Sequence, residues 1–365
     1  TSTFVIYDII RELGGDIDYD IPNRFIDGYG LSPSKAFEII NDDYNLVITV
    51  DNGIKSVEEA KILKENNVDL IITDHHEQED GLPDAFAIIH TSLGDYPFKP
   101  LAGVGVAFKL GQALIGDEAL DYIDIVSLGT IADMMPLIDE NRAIVNLGLK
   151  KLQYSSNVGL AKLIDFLDIN QPSVSDVQYK IAPRINSCGR MKSAKIAVEL
   201  LRSVDNREAI EHIKEIEENN NKRKKLTKVL YDEALSMLDL SKDAIIIHSP
   251  RMHEGVIGIV ASRLANEYAK VSVVLKEEEY TYKGSIRGYS DVDVISVLSQ
   301  MKDLLIRHGG HASAAGLEFK KEYLSEFKER FNDLIPNAAK STGPVAEGYV
   351  DVFKLGLDQI VDLDQ

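Results

Sequence analysis

Short apolar runs alternate with helical patterns through the first part of the chain. Residues 45–50, NLVITV, form a β-branched run that predicts a strand. A helix is predicted from Val57, announced by Ser56 and Glu59 at the spacing of a capping box. Residues 68–73, VDLIIT, predict a second strand, and residues 85–90, AFAIIH, a third. LAGVGVAFKLGQAL reads as a loop running into a helix, and DYIDIVSLGTIAD is a continuous apolar run ending at Asp133. Unbroken apolar strands separated by helices predict a parallel, doubly wound sheet covered on both faces.

The pattern then changes. From Asn206 to about Leu238 the chain is charged and helical, with Ile210, Ile213, Ile216, Leu226, Val229 and Leu230 as a narrow apolar stripe. No glycine or proline interrupts it, so one long connecting helix is predicted, with Asn219, Asn220 and Asn221 as the place for a break. Strand patterns return at residues 244–249, 271–276 and 281–288, with a helix from about Val256 to Tyr268 between the first two. The expected fold class is α/β: a doubly wound, mainly parallel sheet domain joined by a long helix to a smaller α/β domain. Its expected parts are residues 1–165, a helical connector at 166–240, the smaller domain at 241–345, and the start of a further domain at 346–365.

Composition narrows the class. The 365 residues are 44% hydrophobic and 27% charged, a globular balance with ample chain for a core. A single cysteine, Cys188, excludes an intramolecular disulfide framework and a cysteine-rich zinc site, and suits a cytoplasmic location. No apolar run reaches the roughly 18 residues of a bilayer span, so no membrane partner is expected. The chain starts at Thr1 inside a helical pattern and ends in a polar stretch, as expected of a piece of a longer protein. The net charge is −19, yet residues 180–228 carry 13 Lys and Arg against 7 Asp and Glu, or +6, leaving −25 elsewhere. Such a run is ordinarily a solvated helix face; the alternative is a groove for a polyanion.

Ligands of open parallel sheets bind beyond the carboxyl ends of the strands. Asp51, in VDNG, ends the first predicted strand; Asp74, His75 and His76 end the second; Asp133 ends the apolar run GTIAD. Each alone could be a turn former or a satisfied polar residue, but together they place oxygen and nitrogen donors at one edge. Such a set suits manganese, magnesium or iron. Two other patterns fail. DIDYD (Asp16, Asp18, Asp20) has Ile21 where a calcium loop needs glycine and Asp27 in place of its final Glu. GVGVAF has Phe108 at the third glycine of a dinucleotide fingerprint, so its glycines are read as close packing.

The last third offers phosphate chemistry. GGHASAAG supplies Gly309 and Gly310 as an anion nest beside His311. GSIRG places Ser285 and Arg287 two apart, on one face if extended. HEGVIGIVASRL opens a helix with glycines, and PRINSCGR places Arg184 and Arg190 in a loop.

These motifs resemble a known family. VDNG, TDHH and GTIADMMPL are similar to the second, third and fourth motifs of the DHH phosphoesterase superfamily, and GGHASAAG to the signature of its associated second domain. IPNRFIDGYGL, LAGVGVAFKL, APRINSCGRM and HEGVIGIVASRL resemble its RecJ branch, over essentially the whole chain. The resemblance implies a 5′-to-3′ exonuclease for single-stranded DNA, using Mn2+ or Mg2+ at a two-metal site, in recombination and repair. It implies Asp51 as a bridging ligand, His75 and Asp133 as ligands, Asp74 as their support and His76 facing the scissile phosphate. Arg24 and Tyr29 would bind the 5′ end of the strand, Ser285 and Arg287 its 5′ phosphate, Gly309, Gly310 and His311 the backbone, and Arg190 the strand path. The substrate would lie in the cleft between the domains.

The family's first motif, a strand with Asp-x-Asp, would precede TSTFVIYDII. Without it, impaired metal binding and slow or absent cutting are expected of this piece alone. A monomer is expected, with a helicase or single-strand-binding protein as partner. The rival functions are a phosphodiesterase for short oligonucleotides or cyclic dinucleotides, and a catalytically silent DNA-binding scaffold.

Overall fold

The computed structural model describes residues 1–22, 30–78 and 81–335. The chain divides into two compact units, Thr1–Leu226 and Thr227–Gln365.

The first unit opens with α1 (Ser2–Glu12) and α2 (Pro33–Asn41), then alternates β1 (Leu46–Val50), α3 (Val57–Glu65), β2 (Asp69–Asp74) and β3 (Ala87–His90). The strands pair in parallel in the order β1-β2-β3, with Val50 opposite Thr73 and Asp74 opposite His90. Ala36, Ala60 and Leu63 of α2 and α3 bury one face of β2 with Leu70 and Ile72. α4 (Gly103–Ile115) packs on the same strands within the other core, so helices cover both faces, as the apolar runs predict. That larger core continues into α5 (Ile123–Ala132), α6 (Asp139–Leu152), α7 (Val158–Phe166), the short turn α8 (Val174–Asp176), α9 (Ala182–Met191) and α10 (Lys195–Arg202).

Three local readings are corrected. The apolar run before Asp133 is helix α5, which is buried on nearly every side and so has no polar face to reveal a helical period. APRINSCGRM is helix α9, not a loop: its Pro183 occupies the first turn, where the missing N–H costs nothing. Ser56 caps α3 without the side-chain bond that a capping box requires. The long helix α11 (Asn206–Leu235) is continuous through its three asparagines, of which Asn219 and Asn220 are buried. Within DIDYD, Asp20 is held by Lys35 at 2.7 Å and Lys195 at 2.5 Å.

The second unit is built on β4 (Ile245–Ser249), α12 (Glu254–Tyr268), β5 (Ser272–Glu277), β6 (Thr281–Arg287), α13 (Val294–Ser299), β7 (Leu305–His311), β8 (Ala314–Lys320) and α14 (Leu324–Leu334). The sheet order is β4-β5-β6-β8-β7; β4 and β5 are parallel across α12, and the remaining pairs are antiparallel. Phe319 stacks on Phe327 at 4.5 Å and Phe327 on Phe331 at 5.4 Å, fastening α14 to β8. Each is fully buried, a contribution of roughly 2–3 kcal/mol apiece. Gly309, Gly310 and His311 are the end of strand β7 rather than a nest loop, because β8 pairs with them at Gly316, Ala315 and Ala314.

Candidate metal and phosphate sites

In the first unit, β1 and β2 deliver their C-terminal residues side by side. Asp51 follows β1 in the left-handed region at φ 63, a conformation that Asp tolerates better than most residues. Its N–H donates to the Thr73 carbonyl at 2.8 Å, which ties it to β2. The carboxylate lies against the first residue of α4: a Cβ on Gly103 would sit 2.0 Å from Asp51 Oδ1. Only glycine fits there, and the start of a helix is a favourable place for a negative charge.

His75 Nε2 lies 3.3 Å from Asp51 Oδ1 and 3.4 Å from Asp133 Oδ2. Asp133 arrives from the C-terminal cap of α5, not from a strand end. Donor separations of this size approach the edge of an octahedral shell with ~2.05 Å arms, roughly 2.9 Å. Burial works against charge on His75, but the Asp51 contact and the Asp133 charge outweigh it and raise its pKa. Ligand atoms of Asp51, His75 and His76 also fall within 4.8 Å of one another. Mixed carboxylate and imidazole donors, partly exposed on one side, fit a hard divalent cation.

Asp74 is the buried support, only 1% exposed. Its Oδ2 accepts from the Ile54 N–H at 3.0 Å, and its Oδ1 from the His75 and His76 N–H groups at 2.7 and 3.2 Å. His76 Nδ1 lies 2.7 Å from the same Oδ1. Burial alone would raise the Asp74 pKa, but His76 and these N–H groups hold it down at about 2. The Asp74 bond in turn raises the pKa of His76. His75 and His76, their rings 4.6 Å apart, thus have different partners.

Sequence reading missed His90. It is buried at the end of β3; its Nδ1 accepts the Ser92 N–H at 3.1 Å, so Nε2 donates to the His76 carbonyl at 2.8 Å. A polar residue ending a strand was its only signal. Arg190 lies in the last turn of α9. Arg24 and Tyr29 lie outside the described residues.

In the second unit, Ser285 pairs with Gly316, and Gly316 with Gly309; Arg287 pairs with Ala314, and Ala314 with His311. Alternation places Ser285, Arg287, Gly309 and His311 on one face, with small residues of β8 between them as a low floor. Arg287 Nη1 donates to Ser285 Oγ at 2.8 Å. The start of α12 closes on this pair: a Cβ on Gly258 would lie 2.8 Å from Arg287 Nη2 and 3.1 Å from Ser285 Oγ. His253 caps that helix, its Nδ1 accepting the Gly255 N–H at 3.1 Å. Burial and Lys276 lower its pKa, which keeps the imidazole neutral enough to accept. A guanidinium, a hydroxyl and a helix start together form an anion cradle.

No helix among the described residues is long and apolar enough to cross a membrane.

Residues 1–130 match the family model of the DHH family, N-terminal domain, and residues 241–337 that of the DHHA1 domain. The single-stranded-DNA-specific exonuclease RecJ of Bacillus subtilis is 41% identical over 346 residues, which cover 92% of this chain and 44% of that protein. The chain therefore spans about half the length of that relative. The structure of RecJ from Thermus thermophilus in complex with Mn2+ superposes with a TM-score of 0.83 at 32% identity, covering 91% of this chain and 49% of the other. A crystal structure of exonuclease RecJ bound to manganese gives 0.79 at 33% identity, covering 91% of this chain and 86% of the other.

Proposed function

The chain belongs to the RecJ branch of the DHH phosphoesterase family, and from that premise we propose that the protein carrying it is a metal-dependent 5′-to-3′ exonuclease of single-stranded DNA, acting in recombination and repair. The observation that carries this reading is the convergence of Asp51 and Asp133 on His75. These three residues would hold the divalent cations, manganese or magnesium. Bound cations supply Lewis-acid polarisation of the phosphate and acidification of a water. Asp74 orients the His76 ring and favours its charged form, in which the second nitrogen would donate to a phosphate oxygen. Ser285 and Arg287 grip the 5′ phosphate, Gly309, Gly310 and His311 the backbone beyond it, and Arg24, Tyr29 and Arg190 the strand.

In this reading residues 1–165 form the phosphoesterase domain, 166–240 the connector, 241–345 the phosphate-gripping domain and 346–365 the start of another. The protein works in the cytoplasm as a monomer, with a helicase or single-strand-binding protein. The test is digestion, by the full-length gene product with Mn2+, of a 3′-labelled, 5′-phosphorylated long single strand, the matching duplex and a dinucleotide. Stepwise shortening of the long single strand from its 5′ end supports the exonuclease. Cutting confined to the dinucleotide favours a short-oligonucleotide phosphodiesterase, and binding without cutting a silent scaffold.

A further inference from the structure

Eight non-glycine residues among those described have positive φ: five are Asp or Asn, two are Ala269 and Ser290, and the last is Met134 at φ 55. Met134 is the one long apolar side chain in that set. Its position explains the backbone. The Met135 N–H donates to the Thr130 carbonyl at 3.3 Å and the Met134 N–H to the Ile131 carbonyl at 3.1 Å, the paired closure that ends a helix with one left-handed residue. Glycine is the usual occupant, because any Cβ is strained there.

The side chain is not explained by the fold. Met135 turns back onto the core, whereas Met134 is 80% exposed. At that exposure it adds little to the core, and a glycine would relieve the backbone. The position follows Asp133 directly, so its Cα is ~3.8 Å from that of a metal-site residue. Strain kept beside a reaction centre, with an exposed apolar chain as its only product, points to a ligand contact.

We infer that Met134 is a shelf for a nucleobase at the 5′ end of the bound strand, a base contact beside a site otherwise built for phosphate. The inference rests on the nuclease reading above. A thioether chain is polarizable and adaptable, so it accepts the face of any base and adds affinity without sequence preference.

The test uses the full-length protein with Mn2+ and a 5′-phosphorylated, phosphorothioate-linked single strand, either complete or abasic at its first three positions. The wild type is expected to bind the complete strand about 5-fold more tightly than the abasic one. Met134→Gly should lose that preference while its Tm rises by about 2 °C, and Met134→Leu should keep it. Undiminished preference in Met134→Gly overturns the shelf alone, as does a fall in its Tm, which would mean that the side chain packs. Absence of strand binding by the wild type overturns the nuclease reading, and the shelf with it.

Discussion

His76 Nδ1 and Asp74 Oδ1 are 2.7 Å apart, and the carboxylate of this pair is buried while the imidazole is 39% exposed. An imidazole oriented by a fixed, buried anion therefore stands at the edge of the candidate metal site.

The pair gives stability a defined pH dependence. Asp74 is held from its ordinary 3.8 down to about 2, so its contribution is complete above about pH 4 and lost as the pH falls through 2. His76 is held above its ordinary 6.5, so its contribution is complete below that pH and lost as the pH rises through the raised value. The pair stabilises most between about pH 4 and pH 6.5. Asp74→Asn should cost about 2 kcal/mol in urea unfolding at pH 5, with the gap to wild type narrowing towards pH 2.5. A gap independent of pH would place the stabilisation elsewhere.

Gly103→Ala tests the seat of Asp51. The added methyl would collide with a carboxylate oxygen at 2.0 Å, so Asp51 must move. We expect a folded protein, by circular dichroism, whose Mn2+ affinity drops about 10- to 100-fold. Unchanged affinity would show that Asp51 is not held where the metal needs it.

Gly258→Ala tests the anion cradle. The methyl would meet Arg287 Nη2 at 2.8 Å, the far end of a flexible chain, so folding should survive and the guanidinium should shift. The full-length protein should keep its kcat but lose most of its preference for a 5′-phosphorylated over a 5′-hydroxyl strand, read as a rise in KM for the former. A KM rise of equal size for both ends would indicate a general loss of strand binding.

Cys188 should be chemically silent. It is fully buried, and burial pushes its thiol up to about 12. A thiol reagent at pH 8 should leave the native chain unmodified and label it once unfolded in urea. Rapid labelling of the native protein would contradict the packing of α9.

Much of this was legible in the sequence, for physical reasons that also mark where legibility ended. β1, β2, β4 and β5 are largely apolar runs of strand length, and a strand that ends in Asp or His announces its own chemistry. Asp51 and the Asp74–His76 group could be found this way. Asp133 is legible as a carboxylate ending an apolar run but falls on a helix rather than a strand, since a helix buried all round has the same apolar signature as a buried strand. The end of β7 and the start of β8, GGHASAAG, read as an anion nest, because Gly309 and Gly316 sit opposite each other and leave no side-chain alternation to detect. Gly103 and Gly258 matter through the Cβ they lack, against residues 52 and 29 positions away, and no local pattern carries that information.

The most direct test of the account is Asp51→Ala in the full-length protein, assayed with Mn2+ on a 3′-labelled, 5′-phosphorylated single strand beside the wild type. The account predicts that the wild type shortens the strand from its 5′ end, while the variant, with unchanged circular dichroism and retained strand binding, does not cut. Turnover by Asp51→Ala comparable to that of the wild type would contradict the metal centre built on Asp51, His75 and Asp133.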